Sequence, residues 1–493
     1  MHIGFLNPQG NFDPLDSHLT QHPDFGGQLV YVKELAIQLG RLGHKVDILT
    51  RRFDDTSWPE YSDPTDGWPG EENVRVIRLE CGPEGFVEKE KLWPYLNEWV
   101  AGVREFYQEE GSSPDIYTAH YADGGMAAVL LQMREETPFT FTGHSLGSMK
   151  MERLIGDDNE FDILADRYRF DYRIAAERCS FAQAAAIVTS SDVERREHLG
   201  HHVYSGSINV EDDSKFCLIP PGVNPDIFGT DIVSADEDKI IAIIEDTIHR
   251  DIPAARRHLP MVICSSRLAP KKNIIGLVRA WAESETLMAS ANLIISLNRN
   301  PYPFYASEGA FTPKEKVIFD EIRELIDERN LWPCVMSLSM ATQADLAAAY
   351  RHLGRAHRGV FALTAFHEPF GLSPLEAMAC GLPAVVTQNG GPAESLTDGA
   401  GVLVDPYDPD DIASGLLKLV QREDCWKQYR DAGTKRVREV YTWERTAKSY
   451  ENLFNRVLEG LYADKTVSSC PRWFFDPNSG ENSLDWLKAL WHN

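Results

Sequence analysis

With 493 residues, the chain exceeds the roughly 250–300 residues at which one hydrophobic core stops growing, so we expect two domains. Hydrophobic residues make up 43% and charged residues 25%, which is typical of a globular enzyme and excludes a disordered or fibrous chain. The formal net charge of −26 disfavours nucleic acids and anionic membranes as partners. A phosphorylated substrate would therefore need a local cluster of Lys and Arg.

The N-terminus runs directly into an apolar strand, and no stretch reaches the ~18 apolar residues that a membrane span requires. We therefore expect a cytoplasmic protein. The eight cysteines lie singly and form no C-x-x-C pair, which favours buried thiols over zinc ligands or a disulfide framework. This pattern implies no structural metal.

Apolar runs alternate with helical segments from the first residues onward, a pattern typical of βαβ units and a parallel sheet. Leu29, Val32, Leu35 and Leu39 recur at three- and four-residue spacing and predict one apolar helix face, with Gly43 ending the helix. The strands predicted in this first series are 3–6, 46–49, 74–79, 116–119, 139–142 and 187–190.

The periodicity stops at a Pro/Gly/Asn cluster over 219–225, where we place a domain boundary. A second series of strands is predicted at 261–265, 293–297, 334–338, 360–363, 384–387 and 401–404. The prediction is an N-terminal Rossmann-like domain over 1–220 and a C-terminal one over 221–445. Residues 446–493 carry many large apolar side chains, so we expect them to return and pack on the N-terminal domain.

Two predicted loops of the second series carry charged side chains directly after strands. Arg267 and Lys272 follow the strand at 261–265 and could bind one anion together, although an exposed basic loop is the simpler alternative. Glu368 and Glu376 flank the next helix start, where Gly371 could offer its amide to a diphosphate. Glu376 would then bind ribose hydroxyls.

The segment Ser373–Glu376 has a second interpretation, because Ser-Pro-Leu-Glu is also a capping box with Pro374 at the first helical position. Capping would explain Glu376 but not Glu368. A further pattern, Asp408-Pro409-Asp410, resembles a D-x-D metal motif, but we interpret Asp410 as a helix N-cap.

Three segments of the first series also lie at predicted strand or helix ends. Gly26 and Gly27 open the first helix, as an anion site or as a simple tight turn. The run 142–147 contains a G-x-S-x-G match, which would suit an α/β-hydrolase with Ser145 as nucleophile. The run 120–125, together with Lys89, Lys150 and Arg173, could form the cationic pocket, although each base alone could be a solvated surface group.

Taken together, four patterns resemble the retaining glycosyltransferases of the GT-B fold, family 4: Gly-Gly-Gln at 26–28, the 267–272 loop, the pair of glutamates, and Asn-Gly-Gly-Pro-Ala-Glu at 389–394. Within that group, the segments 5–13, 22–28, 92–95 and 142–147 are most similar to the bacterial sucrose-phosphate synthases. The resemblance covers nearly the whole chain.

The resemblance implies two Rossmann-like parallel-sheet domains facing across a cleft, with glucose moving from UDP-glucose to fructose 6-phosphate without a metal or other cofactor. Its implied catalytic residues are His144, Arg267, Lys272 and Glu368. Its implied donor-binding residues are Gly27, Arg267, Lys272, Glu368, Phe370, Gly371, Leu372 and Glu376. Its implied acceptor-binding residues are Gly26, Gln28, Lys89, Tyr121, Ser145, Lys150 and Arg173.

Other functions remain open at this point. The acceptor could be free fructose, as in sucrose synthases, or another sugar, and the donor nucleotide could be UDP, ADP or GDP. An α/β-hydrolase that uses Ser145 is a more distant alternative. The patterns do not determine an oligomeric state.

Overall fold

The computed structural model describes residues 1–15, 17, 27–155, 160–297, 304, 311–461, 470–475 and 482–492. The chain divides into two compact units. The first comprises Met1–Pro220 with Glu444–Asn493, and the second comprises Pro221–Trp443. Each unit contains its own mainly parallel sheet with helices, so the α/β class predicted from the sequence is confirmed.

The described part of the chain contains fourteen strands. They are β1 (His2–Leu6), β2 (Lys45–Arg51), β3 (Thr65–Asp66), β4 (Val74–Leu79), β5 (Ile116–His120), β6 (Phe139–Thr142), β7 (Ala186–Thr189), β8 (Phe216–Leu218), β9 (Met261–Ser265), β10 (Asn292–Ser296), β11 (Val335–Leu338), β12 (Val360–Leu363), β13 (Ala384–Thr387) and β14 (Val402–Val404).

The α-helices of the same residues are α1 (Gly27–Arg41), α2 (Leu96–Glu110), α3 (Tyr121–Gln132), α4 (Gly147–Leu154), α5 (Phe161–Tyr168), α6 (Phe170–Gln183), α7 (Glu237–Asp251), α8 (Ile274–Glu283), α9 (Glu285–Ser290), α10 (Pro313–Glu328), α11 (Gln343–Ala356), α12 (Leu372–Ala379), α13 (Pro392–Ser395), α14 (Pro409–Val420), α15 (Glu423–Val440), α16 (Trp443–Leu458), α17 (Arg472–Phe475) and α18 (Ser483–Trp491).

The sheet of the first unit has the order β3-β4-β2-β1-β5-β6-β7-β8. All neighbours are parallel except β3, which pairs antiparallel with β4 at the edge. Ile3 of β1 pairs with Val46 of β2 on one side and with Ile116 of β5 on the other. The strands that follow β1 in the chain, β2 to β4, therefore lie on one side of it, and the later strands, β5 to β8, lie on the other side.

The sheet of the second unit repeats this plan with the order β11-β10-β9-β12-β13-β14. Strand β9 pairs in parallel with β10 and with β12. The strand order changes direction between β9 and β12, as it does between β1 and β5 in the first unit. The strands are short and almost entirely apolar, as expected for a sheet covered by helices on both faces.

The C-terminal helices pack on the core of the first unit. Trp473 is 3% exposed and Leu487 is fully buried, while Phe474 contacts Tyr172 of α6 with a ring-centroid distance of 4.9 Å. The carbonyl of Trp491 lies 3.0 Å from the imidazole Nε2 of His202. The aromatic residues of the tail thus cover apolar surface of the same unit.

The cysteine prediction is wrong for one pair. A disulfide joins Cys179 of α6 to Cys470, which precedes α17, and their Cα atoms lie 5.8 Å apart. The two residues are 291 positions apart in the chain, so spacing alone could not reveal the pair. Five of the other six cysteines are buried thiols, as expected, and Cys217 is partly exposed.

No helix in the described part of the chain is both long and apolar enough to cross a membrane.

Candidate active site

In open parallel sheets, ligands bind beyond the carboxyl ends of the strands at the topological switch point, where the strand order changes direction. In the second unit, this point lies between β9 and β12. The loop after β9 carries Arg267 and Lys272, and the loop after β12 carries Glu368. The topology therefore brings three of the residues singled out from the sequence to one edge of the sheet.

Lys272 and Glu368 are in direct contact, with 2.6 Å between the ammonium Nζ and the carboxylate Oε2. Both side chains are largely shielded, at 17% and 14% exposed. Arg267 is exposed, and its guanidinium pairs with no carboxylate among the residues that the structure describes. The loop after β9 thus presents an unneutralised cation beside a paired one, which suits an anionic ligand.

The backbone between these residues is held by several hydrogen bonds. Asn273 has a left-handed φ of 49°, and its side chain caps α8 by accepting from the Gly276 amide. The Thr364 hydroxyl donates to the Asn273 carbonyl at 3.1 Å, and the Phe366 amide donates to the Lys271 carbonyl at 3.0 Å. These contacts link the loops after β9 and β12 and fix the position of Lys272.

The capping interpretation of Ser373–Glu376 is wrong. Helix α12 begins at Leu372 with Gly371 as its N-cap, and no side chain in the described part of the chain caps it. Gly371 has a φ of 91°, a conformation that favours glycine. The first amides of α12 therefore have no side-chain cap among the described residues, and unsatisfied amides at a helix start favour an anion.

Glu376 lies in the middle of α12 and does not serve the helix start. Burial raises the pKa of its carboxyl to about 7. A carboxyl that is partly protonated near neutral pH and has no capping role is a candidate for binding hydroxyls. Phe370, just before the helix, packs partly buried against the core of the unit beside Tyr441.

The loop after β13 lies against the loop that carries Glu368. The Glu368 amide donates to the Asn389 carbonyl, and the Gly391 amide donates to the Glu368 carbonyl, both at 3.0 Å. A Cβ on Gly390 would lie 2.2 Å from the Glu368 carbonyl oxygen, and one on Gly391 would lie 2.6 Å from the Phe370 Cα. Both glycines are therefore required by the close approach of the two loops.

The D-x-D motif is a helix start, as expected, but the capping residue differs from the prediction. Asp408, not Asp410, is the N-cap of α14, and its carboxylate accepts from the amides of Asp410 and Asp411. Pro409 takes the first helical position, where its missing N–H costs nothing. The carboxylate of Asp408 thus serves the backbone.

In the first unit, His144 follows β6, which lies next to β5. Its Nε2 is 2.9 Å from Nδ1 of His120, the last residue of β5. Burial lowers the pKa of His144 to about 3 and, together with His144, also lowers the pKa of His120. The neutral imidazole form of His144 therefore predominates at pH 7.

Tyr121 and His144 both have positive φ angles, 68° and 57°, at the carboxyl ends of neighbouring strands. Such conformations cost about 1–3 kcal/mol in non-glycine residues and cluster at functional sites. The Tyr31 ring contacts His144 edge-on at 4.8 Å, and the Tyr31 hydroxyl bonds to that of Tyr450 on α16. These two tyrosines support His144, and no sequence pattern indicated them.

The predicted cationic pocket forms a cavity within the first unit. Its lining residues are Lys89, Glu90, Trp93, Tyr121, Asp123, Tyr168 and Arg173. Lys150 lies beside it, with its ammonium 4.0 Å from the Tyr168 ring centroid and 3.4 Å from Glu90. The structure therefore brings Lys89, Tyr121, Lys150 and Arg173 together, whereas Gln28 and Ser145 do not line this cavity.

Arg173 has a second role that the sequence did not reveal. Its Nε donates to Glu177 at 3.2 Å, and its Nη2 donates to the Ser145 carbonyl. Glu177 also accepts from the Gly147 amide at 2.9 Å and from the Tyr204 hydroxyl. Arg173 thus holds the backbone of the loop that carries Ser145, while its guanidinium lies 4.6 Å from the Tyr121 ring centroid.

Asp123 and Trp93 line the same cavity but were not among the predicted site residues. Burial raises the pKa of Asp123 to about 6, although neighbouring backbone amides lower it. Asp123 stands in the segment 120–125 that drew attention in the sequence, so its position at a strand end was the available signal. The glycines that follow it serve packing, because a Cβ on Gly124 would lie 2.3 Å from the Leu6 carbonyl oxygen.

At the start of α1, Gly27 is exposed, and a Cβ placed on it would meet no atom of the described residues within 4 Å. The Gln28 amide group donates to the Asn7 side chain at 2.7 Å, which links α1 to the loop after β1. Gly26 lies outside the described residues.

The geometry around Ser145 disfavours the hydrolase. The left-handed residue of the 142–147 loop is His144 and not the serine, and the Ser145 amide donates to the Gly143 carbonyl at 2.7 Å. In the described part of the chain, no histidine is hydrogen-bonded to the exposed Ser145 hydroxyl. A nucleophile elbow would strain the serine itself and place a base beside it.

Comparisons with known proteins agree with this geometry. Residues 26–210 match the family described as "Glycosyl transferase 4-like domain", and residues 245–436 match "Glycosyl transferases group 1". Among solved structures, a sucrose-phosphate synthase from Thermosynechococcus elongatus is similar with a TM-score of 0.67 at 23% identity, covering 93% of this chain and 100% of that chain. HepE from Anabaena in complex with UDP is similar with a TM-score of 0.62 at 16% identity, covering 92% and 100%. The predicted GT-B fold is confirmed.

The chain is 40% identical over 457 residues to a probable sucrose-phosphate synthase from Thermosipho melanesiensis, covering 92% of this chain and 97% of that protein. It is 30% identical over 514 residues to the sucrose-phosphate synthase of Zea mays, covering 91% of this chain and 47% of that protein. The chain thus spans about half the length of the plant relatives that it matches. The identity and coverage show that the chain belongs to the sucrose-phosphate synthase family of glycosyltransferases.

Proposed function

We propose that this protein transfers glucose from UDP-glucose to fructose 6-phosphate, giving sucrose 6-phosphate and UDP with retention at the anomeric carbon. The observation that carries the proposal is the group of Arg267, Lys272 and Glu368 at the switch point of the second sheet. The same fold in HepE has been solved in complex with UDP-glucose, which supports a nucleotide sugar as the donor.

In the proposed reaction, the bond between the anomeric carbon and the diphosphate oxygen breaks as the acceptor hydroxyl oxygen attacks the same face of the sugar. The hydroxyl proton passes to the leaving diphosphate. Arg267 and Lys272 neutralise the charge that develops on this diphosphate, which is the role that a metal has in other transferases. The uncapped amides of Gly371 and Leu372 contribute to the same end.

Glu368 and Glu376 orient the donor in this scheme. Glu368, already within 2.6 Å of Lys272, would accept hydrogen bonds from glucosyl hydroxyls, and Glu376 would accept from the ribose. His144 is neutral, so it acts by position and hydrogen bonding, held by His120 and Tyr31. It offers no fixed positive charge to an oxocarbenium-like transition state.

The acceptor phosphate is proposed to bind in the cavity lined by Lys89, Tyr121 and Arg173, with Lys150 beside it. In a chain with a net charge of −26, a cluster of three bases, Lys89, Lys150 and Arg173, around one small cavity is the local attraction that a sugar phosphate requires. Arg173 also binds Glu177 and the Ser145 carbonyl, and the Lys150 ammonium lies 3.4 Å from Glu90, so a bound phosphate would compete with these partners for both bases.

A direct assay tests the proposal. Release of UDP from UDP-glucose is measured with fructose 6-phosphate, with fructose and without acceptor, each with and without excess EDTA. We expect turnover only with fructose 6-phosphate, unchanged by EDTA, and an α-linked product by NMR. Preference for free fructose would move the protein to sucrose synthase-type transfer. Activity restored only by Mg²⁺ or Mn²⁺ would contradict the metal-independent mechanism, and a β-linked product would contradict retention.

A further inference from the structure

Two histidines and one glutamate form a cluster in the second unit, and none of the residues assigned to sugar transfer belongs to it. Glu245 lies on α7, His352 lies near the end of α11, and His357 is the residue that caps α11. The imidazole Nε2 atoms of His352 and His357 each lie 2.7 Å from the same carboxylate oxygen, Oε1 of Glu245. One potential ligand atom from each residue lies within 4.8 Å of the other two.

The chemistry of these three groups matches a transition-metal site. Two imidazole nitrogens and one carboxylate oxygen are a known ligand set for Zn²⁺, with metal–ligand distances of about 2.0–2.2 Å. Two ligands at that distance from a tetrahedral ion are about 3.4 Å apart, so the pairs at 2.7 Å would need to separate by less than about 1 Å. Side-chain rotation could supply such a movement.

In the metal-free arrangement, both imidazoles must carry a hydrogen on Nε2 and donate it to one oxygen atom. When a divalent cation binds between the three groups, each neutral imidazole takes its Nδ1–H tautomer, and the lone pairs of both Nε2 atoms and of the carboxylate meet at one centre. The side chains of His352 and His357 are 13% and 12% exposed, and that of Glu245 is 34% exposed. Water can therefore reach the cluster and complete the coordination.

We propose that Glu245, His352 and His357 form a Zn²⁺ site that links α7 to the end of α11. Imidazole ligands favour zinc over Mg²⁺, which prefers oxygen ligands alone. Because α7 and α11 are far apart in the sequence, the unfolded chain would not assemble this site. The metal would thus bind the native state preferentially and stabilise the second unit without taking part in sugar transfer.

Titration of the metal-stripped full chain with Zn²⁺ tests the site. By equilibrium dialysis, we expect each of three variants, Glu245→Gln, His352→Gln and His357→Gln, to lose one equivalent of bound zinc or to raise the Kd for zinc at least tenfold. His249→Gln is the matched control, because His249 lies on α7 with its Nδ1 2.7 Å from the Glu245 main-chain carbonyl. Equal zinc binding in all four variants and the unmodified protein would overturn the proposal.

Thermal unfolding supplies a second readout that does not depend on the affinity measurement. At a hundredfold excess of Zn²⁺ over its Kd, we expect the unfolding temperature to rise by about 5–10 °C, and Mg²⁺ to have no effect. His352→Gln should abolish the rise, while the His249→Gln control retains it. An equal rise in the His352→Gln variant would show that zinc acts elsewhere and would refute the site.

The zinc site and the proposed reaction fail independently of each other. Below the unfolding temperature, His352→Gln should keep the UDP-releasing activity of the unmodified protein, because it touches no proposed substrate group. Loss of transferase activity in Arg267→Ala with unchanged zinc binding would leave this inference standing. Loss of activity in metal-stripped protein, restored by Zn²⁺, would contradict a purely stabilising metal.

Discussion

The cations of the two units are in different environments. In the second unit, Arg267 is exposed and pairs with no carboxylate among the described residues. In the first unit, Arg173 is 4% exposed, and its guanidinium is engaged with Glu177 and the Ser145 carbonyl. An exposed arginine remains available to a ligand, whereas a buried one must be satisfied by the fold, since an unpaired buried charge costs several kcal/mol.

This comparison separates residues that bind from residues that hold binding residues in place. Lys272 lies between these two classes. It is shielded and paired like Arg173, but its partner is Glu368, which is itself proposed to bind the donor. The difference predicts that substitutions in the second unit act on turnover, while substitution of Arg173 acts first on stability. The following experiments test that division, beginning with the largest effect.

Arg173→Ala should lower the free energy of unfolding by about 3–5 kcal/mol, because it leaves the Glu177 carboxylate buried without its cation. Denaturant unfolding followed by circular dichroism measures this loss. The double variant Arg173→Met with Glu177→Gln should recover much of it, since the uncompensated charge is gone. If the single variant were as stable as the unmodified protein, Arg173 would not hold this loop.

Arg267→Ala and Lys272→Ala should each lower kcat on the order of 10²–10³-fold, the usual loss when one preorganised donor to a developing anion is removed. Steady-state kinetics of UDP release measures the effect, and circular dichroism checks that both variants fold. Arg279→Ala is the control and should keep full turnover, because Arg279 is also exposed but lies on α8 and not in the loop after β9. Near-normal turnover in both site variants would remove the diphosphate role.

Lys89→Ala should raise the KM for fructose 6-phosphate by roughly 10–100-fold and leave the KM for fructose almost unchanged. Only fructose 6-phosphate offers a dianion to the ammonium. The acceptor KM values are measured side by side. Lys91→Ala is the control, since Lys91 is exposed and pairs with Glu88 in the same segment. An equal loss for both acceptors would place the phosphate outside this cavity.

The value of kcat/KM for UDP-glucose should rise about tenfold between pH 6 and pH 8. Burial raises the pKa of Glu376 to about 7, so the ionised carboxylate that accepts ribose hydroxyls forms only as the pH rises through 7. The profile is measured at saturating acceptor, because Asp123, with a pKa near 6, also titrates in this range. Glu376→Gln should give a flat profile, and a rise of the same size in that variant would assign the titration to another group.

Ser145→Ala should have the smallest effect, about 2–15-fold and mostly in the acceptor KM, because one hydrogen bond is worth about 0.5–1.5 kcal/mol. A catalytic nucleophile would behave differently, since its removal in subtilisin costs about 10⁶-fold in turnover. Complete loss of UDP release in a folded Ser145→Ala variant would contradict a role limited to one hydrogen bond to the acceptor.

Much of the fold could be predicted because its signals are local. The alternation of apolar strands with amphipathic helices placed twelve strands close to their observed positions, and the apolar face at Leu29, Val32 and Leu35 is buried as expected. The two short edge strands of the first sheet, β3 and β8, were not predicted. Local patterns failed where two structures share one motif, as in Ser373–Glu376, which looks like a capping box but lies within α12.

For the candidate site, the sequence alone determined which residues follow the strands and hence which can meet at one sheet edge, including Arg267, Lys272 and Glu368. Their charge and spacing follow directly from the chain, because each lies within a few residues of a recognisable strand. The sequence also determined the family resemblance, which the comparisons support.

Only the tertiary structure decided which of the candidate side chains are engaged by other residues of the fold. The pairing of Arg173 with Glu177, the neutral state of His144 and the disulfide between Cys179 and Cys470 depend on contacts between distant segments and on burial. Contacts between distant segments, and the burial of polar groups at those contacts, leave no periodic pattern in the sequence, since they arise when separate elements exclude water together.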